Sequence, residues 1–180
     1  MNFKVYGPFT VPRNDHGLIS TDPADKRGFW DEVEETAEGL SGACGCYVFG
    51  LGPPGGGSLP WYVGRTKGTN GLVGECFQAH KINHYNNAIA RYQRARPQLT
   101  LIAKVTPTTE AFAKPNANGH LDVEQFEDFL IGVAYAKNQE LMNVEGTTFL
   151  RDVVIQGVLN SPGRGRPTQA ATDLKRLLGL

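Results

Sequence analysis

The sequence predicts an α/β domain of the α+β kind. The expected core is a small, mainly antiparallel sheet of three strands flanked by helices, with a strand and helix added before it and a helix after it. Three observations predict this. Two short β-prone runs, 46–49 and 61–63, flank a Gly/Pro-rich stretch and read as a hairpin. A third apolar, β-prone run spans 99–105. Residues 122–137 place Val123, Phe126, Leu130, Ile131, Val133 and Ala134 in an apolar stripe at helical spacing.

Taken in order, residues 3–11 alternate aromatic and polar side chains and read as a strand that Pro12 ends. Residues 13–26 read as a polar loop. Residues 29–38 read as a helix with Phe29, Trp30, Val33 and Ala37 on one side, closed by Gly39. After the hairpin, 72–80 is helical and 85–93 is a second helix or a bent extension, which Pro97 stops. The 99–105 strand leads into a polar loop over 106–118 and then the long helix. Residues 153–159 are apolar enough for a strand, 161–167 read as a linker, and Thr168 caps a last helix carrying Leu174, Leu177 and Leu178. The domain boundaries read as an N-terminal extension over 1–41, a central domain over 42–145 and a C-terminal extension over 146–180.

The 180 residues are 40% hydrophobic and 20% charged, which fits a globular chain with a real core. No apolar run is long enough to span a bilayer, and the first residues lack the apolar stretch of a signal peptide. Three cysteines argue against a disulfide framework, so a reducing cytoplasm is the expected compartment. The net charge is zero, so no global field attracts nucleic acid. The distribution differs from the total. Asp22, Asp25, Asp31, Glu32, Glu34 and Glu35 make an acidic segment, whereas Arg65, Lys67, Lys81, Arg91, Arg94, Arg96 and Lys104 face one acid, Glu75. A basic stretch beside a candidate site suits a phosphate-bearing substrate, or else is the solvated face of a helix.

Two tripeptides stand out in the hairpin, Gly45-Cys46-Tyr47 and Tyr62-Val63-Gly64. Paired strands bring the two tyrosines onto neighbouring strands, where two phenols over one pocket hold or deprotonate a water. Packing alone is the other reading of two strand tyrosines. Downstream come Phe77-Gln78-Ala79-His80-Lys81, Glu127-Asp128-Phe129-Leu130-Ile131 and Leu141-Met142-Asn143. This ordered set, over about residues 42–143, resembles the GIY-YIG nuclease superfamily.

The resemblance implies a metal-dependent endonuclease acting on DNA, with Mg²⁺ or Mn²⁺ held by Glu127. It implies Tyr62 as general base or water-orienting group, Arg65 as the neighbouring cation, and Tyr47 as a hydrogen-bonding partner of the water or a phosphate oxygen. His80 is the implied proton donor or phosphate ligand, and Asn143 the brace. Helical spacing alone also allows Glu124 in place of Glu127. Lys67, Lys81, Arg91, Arg164 and Arg166 are candidate nucleic-acid contacts.

The sequence departs from the family in one place. An Arg one helical turn before the His is usual, but Cys76 and Glu75 stand there and no Arg lies between Arg65 and His80. Lys67, Lys81 or Arg91 substitutes, or the chain is a catalytically degenerate nucleic-acid-binding protein. A rival reading of the same helix gathers Cys76, His80 and His84 with Cys44 and Cys46 into a Zn²⁺ site. In the tail, Gly163-Arg164-Gly165-Arg166-Pro167 resembles the core of an AT-hook, or is a Pro/Gly linker.

Overall fold

The computed structural model describes residues 2–53, 57–143, 154–158 and 166–178. The chain divides into two compact units, Met1–Asn143 and Val144–Leu180.

The first unit is built on β1 (Asn2–Thr10), α1 (Pro23–Thr36), β2 (Gly45–Gly52), β3 (Leu59–Arg65), α2 (Gly71–Glu75), α3 (Ala79–Arg91), β4 (Arg96–Val105) and α4 (Leu121–Lys137). The sheet is wholly antiparallel among its pairings and has four strands in the order β1-β4-β2-β3. The three-stranded expectation is thereby corrected. The N-terminal strand joins the same sheet because β4 has a free edge, and β1 fills it from Asn2 opposite Val105 to Thr10 opposite Gln98. Alternation in the sequence marks β1 as a strand but does not name its partner.

Strand alternation sorts the side chains onto two faces. Tyr47, Phe49, Leu51, Leu99, Leu101 and Ala103 pack against Phe29 and Val33 of α1 and Ile82, Tyr85 and Ile89 of α3. On the other face, Cys46 and Ile102 pack with Val123, and Val63 packs with Ile131 and Ala134, all from α4. Between Phe49 and Gly50 the β2–β3 register slips by one residue. The extra residue, Trp61, lies in the same buried cluster as its neighbour Tyr62.

Helix boundaries differ from the sequence expectation where polar residues carry the signal. α1 begins at Pro23, because Asp22 accepts a hydrogen bond from the Ala24 amide at 2.7 Å and Pro23 opens the first turn. The turn it starts is exposed, so no apolar periodicity announces it. The break between α2 and α3 falls at 76–78, before His80 rather than after it. α4 has its expected span, but Val133 is 52% exposed and its apolar residues are not confined to one side.

In the second unit, α5 (Gln169–Leu178) starts where Thr168 Oγ1 accepts from the Ala171 amide at 3.2 Å. Residues 154–158 form a turn with Gly157 at φ +74°, closed against Pro167 and Ala171. Of the strand expected over 153–159, the described part shows a bridge residue at Ile155 followed by a turn over 156–158; residues 153 and 159 lie outside the described residues. The same holds for Gly163, Arg164 and Gly165; Arg166 is described and exposed.

Candidate active site

The tyrosines meet on the α3 face. Tyr47 sits opposite Gly64 and Tyr62 opposite Phe49 in the β2–β3 ladder. The two phenol rings stack with centroids 6.3 Å apart. Gly64 is required by this arrangement: a Cβ there would collide with the Tyr47 hydroxyl. Gly45 is required for another reason, since a Cβ on it would strike the Ile102 carbonyl oxygen of β4. Each motif glycine thus has a steric cause in the sheet.

Tyr47 is fully buried, and its hydroxyl has no hydrogen-bond partner among the described residues. The Tyr85 phenol lies close enough for the two to influence each other, but not at hydrogen-bonding geometry. Tyr85 instead donates to the Cys76 carbonyl at 3.0 Å. Burial, then Tyr85, Cys76, Tyr62 and Glu75, push the Tyr47 phenol well above its ordinary pKa. Tyr47 therefore stays neutral. Tyr62 is 8% exposed and stacks on His84, with centroids 5.4 Å apart. His84 is held below the ordinary imidazole pKa by partial burial and by His80. His80 itself is exposed, in the first turn of α3.

The cation beside the phenols is Lys81. It is 5% exposed, lies 5.3 Å from the Tyr47 ring centroid and pairs with Glu75 at 2.6 Å. The other Glu75 oxygen accepts the Lys67 and Gly68 amides at 3.1 Å. Burial raises the Glu75 pKa, but Lys81 and these amides outweigh it and hold the carboxyl below its ordinary value. Lys81 is thus not on the surface where a nucleic-acid contact was expected. Its ammonium is neutralised inside the fold.

Arg65 does not face Tyr62. The two are three residues apart, an odd separation, so they project from opposite sides of β3. Arg65 instead binds Glu127 at 2.7 Å through Nε and Glu124 at 2.8 Å through one terminal nitrogen. The expectation of Arg65 as the cation beside the Tyr62 phenol is corrected by that geometry. Glu127 is raised above its ordinary pKa by burial, against the opposing pull of Arg65 and Lys67. Asn143 Oδ1 accepts the Val63 amide at 3.0 Å and Asn143 Nδ2 donates to the Val63 carbonyl at 2.5 Å.

These residues therefore gather around one stretch of four, Tyr62-Val63-Gly64-Arg65, on the edge strand β3. Tyr47 covers Gly64, Asn143 holds both backbone groups of Val63, Glu127 binds Arg65, and His84 covers Tyr62. They do not share one pocket, because the phenols lie on the α3 face and the Arg65–Glu127 pair lies under α4. His84 and Lys81 are the phenols' neighbours that sequence reasoning underused. Their spacing along α3 was visible, but which turn of the helix covers Tyr62 was not.

No protein-family model matches the chain, and neither a curated protein nor a solved structure matches it significantly. The site is accordingly read from its own chemistry. Among the described residues no group of three or more His, Cys, Asp and Glu side chains is placed to hold a metal ion. The zinc reading is overturned by the sheet itself: Cys44 and Cys46 lie in the α4-side cluster and Cys76 in the α3-side cluster. Burial pushes the Cys46 and Cys76 thiols above their ordinary pKa, so both are neutral packing groups. A single-carboxylate site for a hard cation is compatible with Glu127. Its Oε2 takes the Arg65 bond, and among the described residues no hydrogen bond to Oε1 is seen.

The expected nucleic-acid contacts separate as well. Arg91 is exposed and pairs with Glu140 at 3.0 Å, and Lys104 pairs with Asp122 at 2.7 Å. Lys67, Arg94 and Arg96 carry no ion pair among the described residues. Among the described residues, no helix is long and apolar enough to cross a membrane.

Proposed function

We propose that the chain is a GIY-YIG-like endonuclease that hydrolyses phosphodiester bonds in DNA with a divalent cation. One observation carries the reading. Tyr47, Glu127 and Asn143, far apart in sequence, all close on the four residues Tyr62-Val63-Gly64-Arg65.

Glu127, which contacts β3 from the α4 side, would hold Mg²⁺ or Mn²⁺, whose chemistry would be charge neutralisation on phosphoryl oxygens. Tyr62 orients the attacking water. His84, kept neutral by burial and His80, accepts the water proton as oxygen bonds to phosphorus. The bond to the leaving nucleoside oxygen breaks, and His80, acting in its imidazolium form, donates its own proton to that oxygen. Tyr47 positions Tyr62 through ring stacking.

The test is nicking of supercoiled plasmid in Mg²⁺ or Mn²⁺. Glu127→Ala and Tyr62→Phe are each expected to lower the rate by about 10²-fold or more. Absence of metal-dependent nicking, or full activity in both variants, retires the proposal.

A second reading is nucleic-acid binding without cleavage. It is favoured by the Glu75–Lys81 and Arg65–Glu127 pairs, which neutralise the two cations nearest the phenol strand. It predicts binding that weakens steeply with salt, survives Glu127→Ala and is never accompanied by nicking.

A further inference from the structure

Between the β2–β3 hairpin and the end of α3 lies a cavity of about 620 Å³, with Trp61, the neighbour of Tyr62, in its wall. Its walls are apolar, with Leu51, Leu59, Trp61 and Tyr92, and Arg91 and Arg94 also line it. Tyr92 is an aromatic residue left 51% exposed, its ring tilted over Trp61 at 5.3 Å. The turn that carries it is fixed, because Arg13 donates to the Gln93 carbonyl at 2.9 Å and to the Ala95 carbonyl at 2.6 Å. Arg91 is occupied by Glu140, whereas Arg94 carries no ion pair among the described residues. The cavity therefore offers an aromatic platform, apolar walls and one spare guanidinium, at a volume suited to a compact ligand.

We propose that this cavity binds a nucleotide unit, its base stacked on Tyr92 and its phosphate on Arg94. The inference deepens the proposed function and, for a polymer ligand, rests on it. Trp61 directly precedes Tyr62, and the bulge puts both in one buried cluster. A strand with its scissile phosphate at Tyr62 would thus lay a neighbouring base into the cavity, unstacked from its own helix. Base-on-aromatic stacking is tolerant of sequence, so the cavity sets position rather than base identity.

The experiment is calorimetric titration of the full chain with AMP, adenosine, ribose 5-phosphate and a single-stranded tetranucleotide, without metal. AMP or the tetranucleotide is expected to bind, adenosine about tenfold more weakly and ribose 5-phosphate not measurably. Tyr92→Ala and Arg94→Ala, both at exposed positions, are each expected to weaken binding about tenfold or more. Binding by the tetranucleotide alone supports a polymer strand as the source, and binding by AMP supports a site that also takes free nucleotide. Ribose 5-phosphate binding as tightly as AMP, unchanged affinity in Tyr92→Ala, or no binding by AMP and tetranucleotide alike overturns the inference. A negative nicking result leaves these titrations intact, and negative titrations leave nicking intact, so the two proposals fail separately.

Discussion

The Tyr47 hydroxyl is a buried polar group without a hydrogen-bond partner among the described residues, an arrangement that costs about 1–3 kcal/mol. Removing that oxygen while keeping the ring leaves the stacking and the cover over Gly64 in place. Tyr47→Phe is therefore expected to raise the melting temperature by a few degrees, measured by thermal denaturation. Loss of stability in that variant would show that the hydroxyl is satisfied in solution. Gly64→Ala acts in the opposite direction, since its new methyl would meet the same hydroxyl and force the ring away, at about 1–3 kcal/mol. At this scale the sequence was informative about identity and poor about direction. Tyr47, Tyr62 and the two glycines were legible from their order alone. That Arg65 turns away from Tyr62 was also readable, because an odd spacing in a strand reverses the face, but the functional analogy obscured it. That Lys81 is buried was not readable, because Glu75, its partner, looks from sequence like one more solvated acid.

At the scale of the element, α2 and α3 are joined by the Glu75–Lys81 pair, whose side chains are 8% and 6% exposed. Breaking a buried pair from one side leaves a bare charge, at about 3–5 kcal/mol. Glu75→Ala is expected to lose that much by urea denaturation. The Glu75→Leu, Lys81→Met double variant should recover most of it, since no charge is then left unpaired. The pH response follows from the depressed Glu75 pKa. Such a carboxylate adds stability that is complete above its unfolded value and is lost as pH falls through its lower folded value. Stability of the wild type should therefore drop on the acid side of about pH 4.5, and Glu75→Gln should flatten that drop. An unchanged acid limb in the variant would place the sensitivity elsewhere, with Asp122 beside Lys104 as the next group to examine. Helix positions were legible where apolar spacing marks them, as in α4. They were not where a cap does so with polar residues, as at Asp22.

For the whole molecule, the hairpin, the third strand and the long helix were all present in the sequence pattern. The fourth strand's place was not, because a register between distant segments leaves no local trace. The charge balance was equally incomplete as a guide. A basic run from Arg65 to Lys104 reads as a surface, yet Arg65, Lys81, Arg91 and Lys104 each have an acidic partner. Of the cations in this run without an acidic partner among the described residues, Lys67, Arg94 and Arg96, Arg94 lines the cavity.

The segment 138–143 has one more effect. Asn138 donates to the Pro60 carbonyl at 2.8 Å, the Met142 amide donates to the Trp61 carbonyl at 2.8 Å, and Asn143 holds both backbone groups of Val63. Together they occupy the row of main-chain groups that an outermost strand otherwise offers to a stranger. Two amide side chains and one loop amide thus stand in for a fifth strand and end the sheet. An Asn138→Ala, Asn143→Ala chain should lose that closure and form concentration-dependent dimers or larger species by light scattering, whether or not the protein ever cuts a nucleic acid.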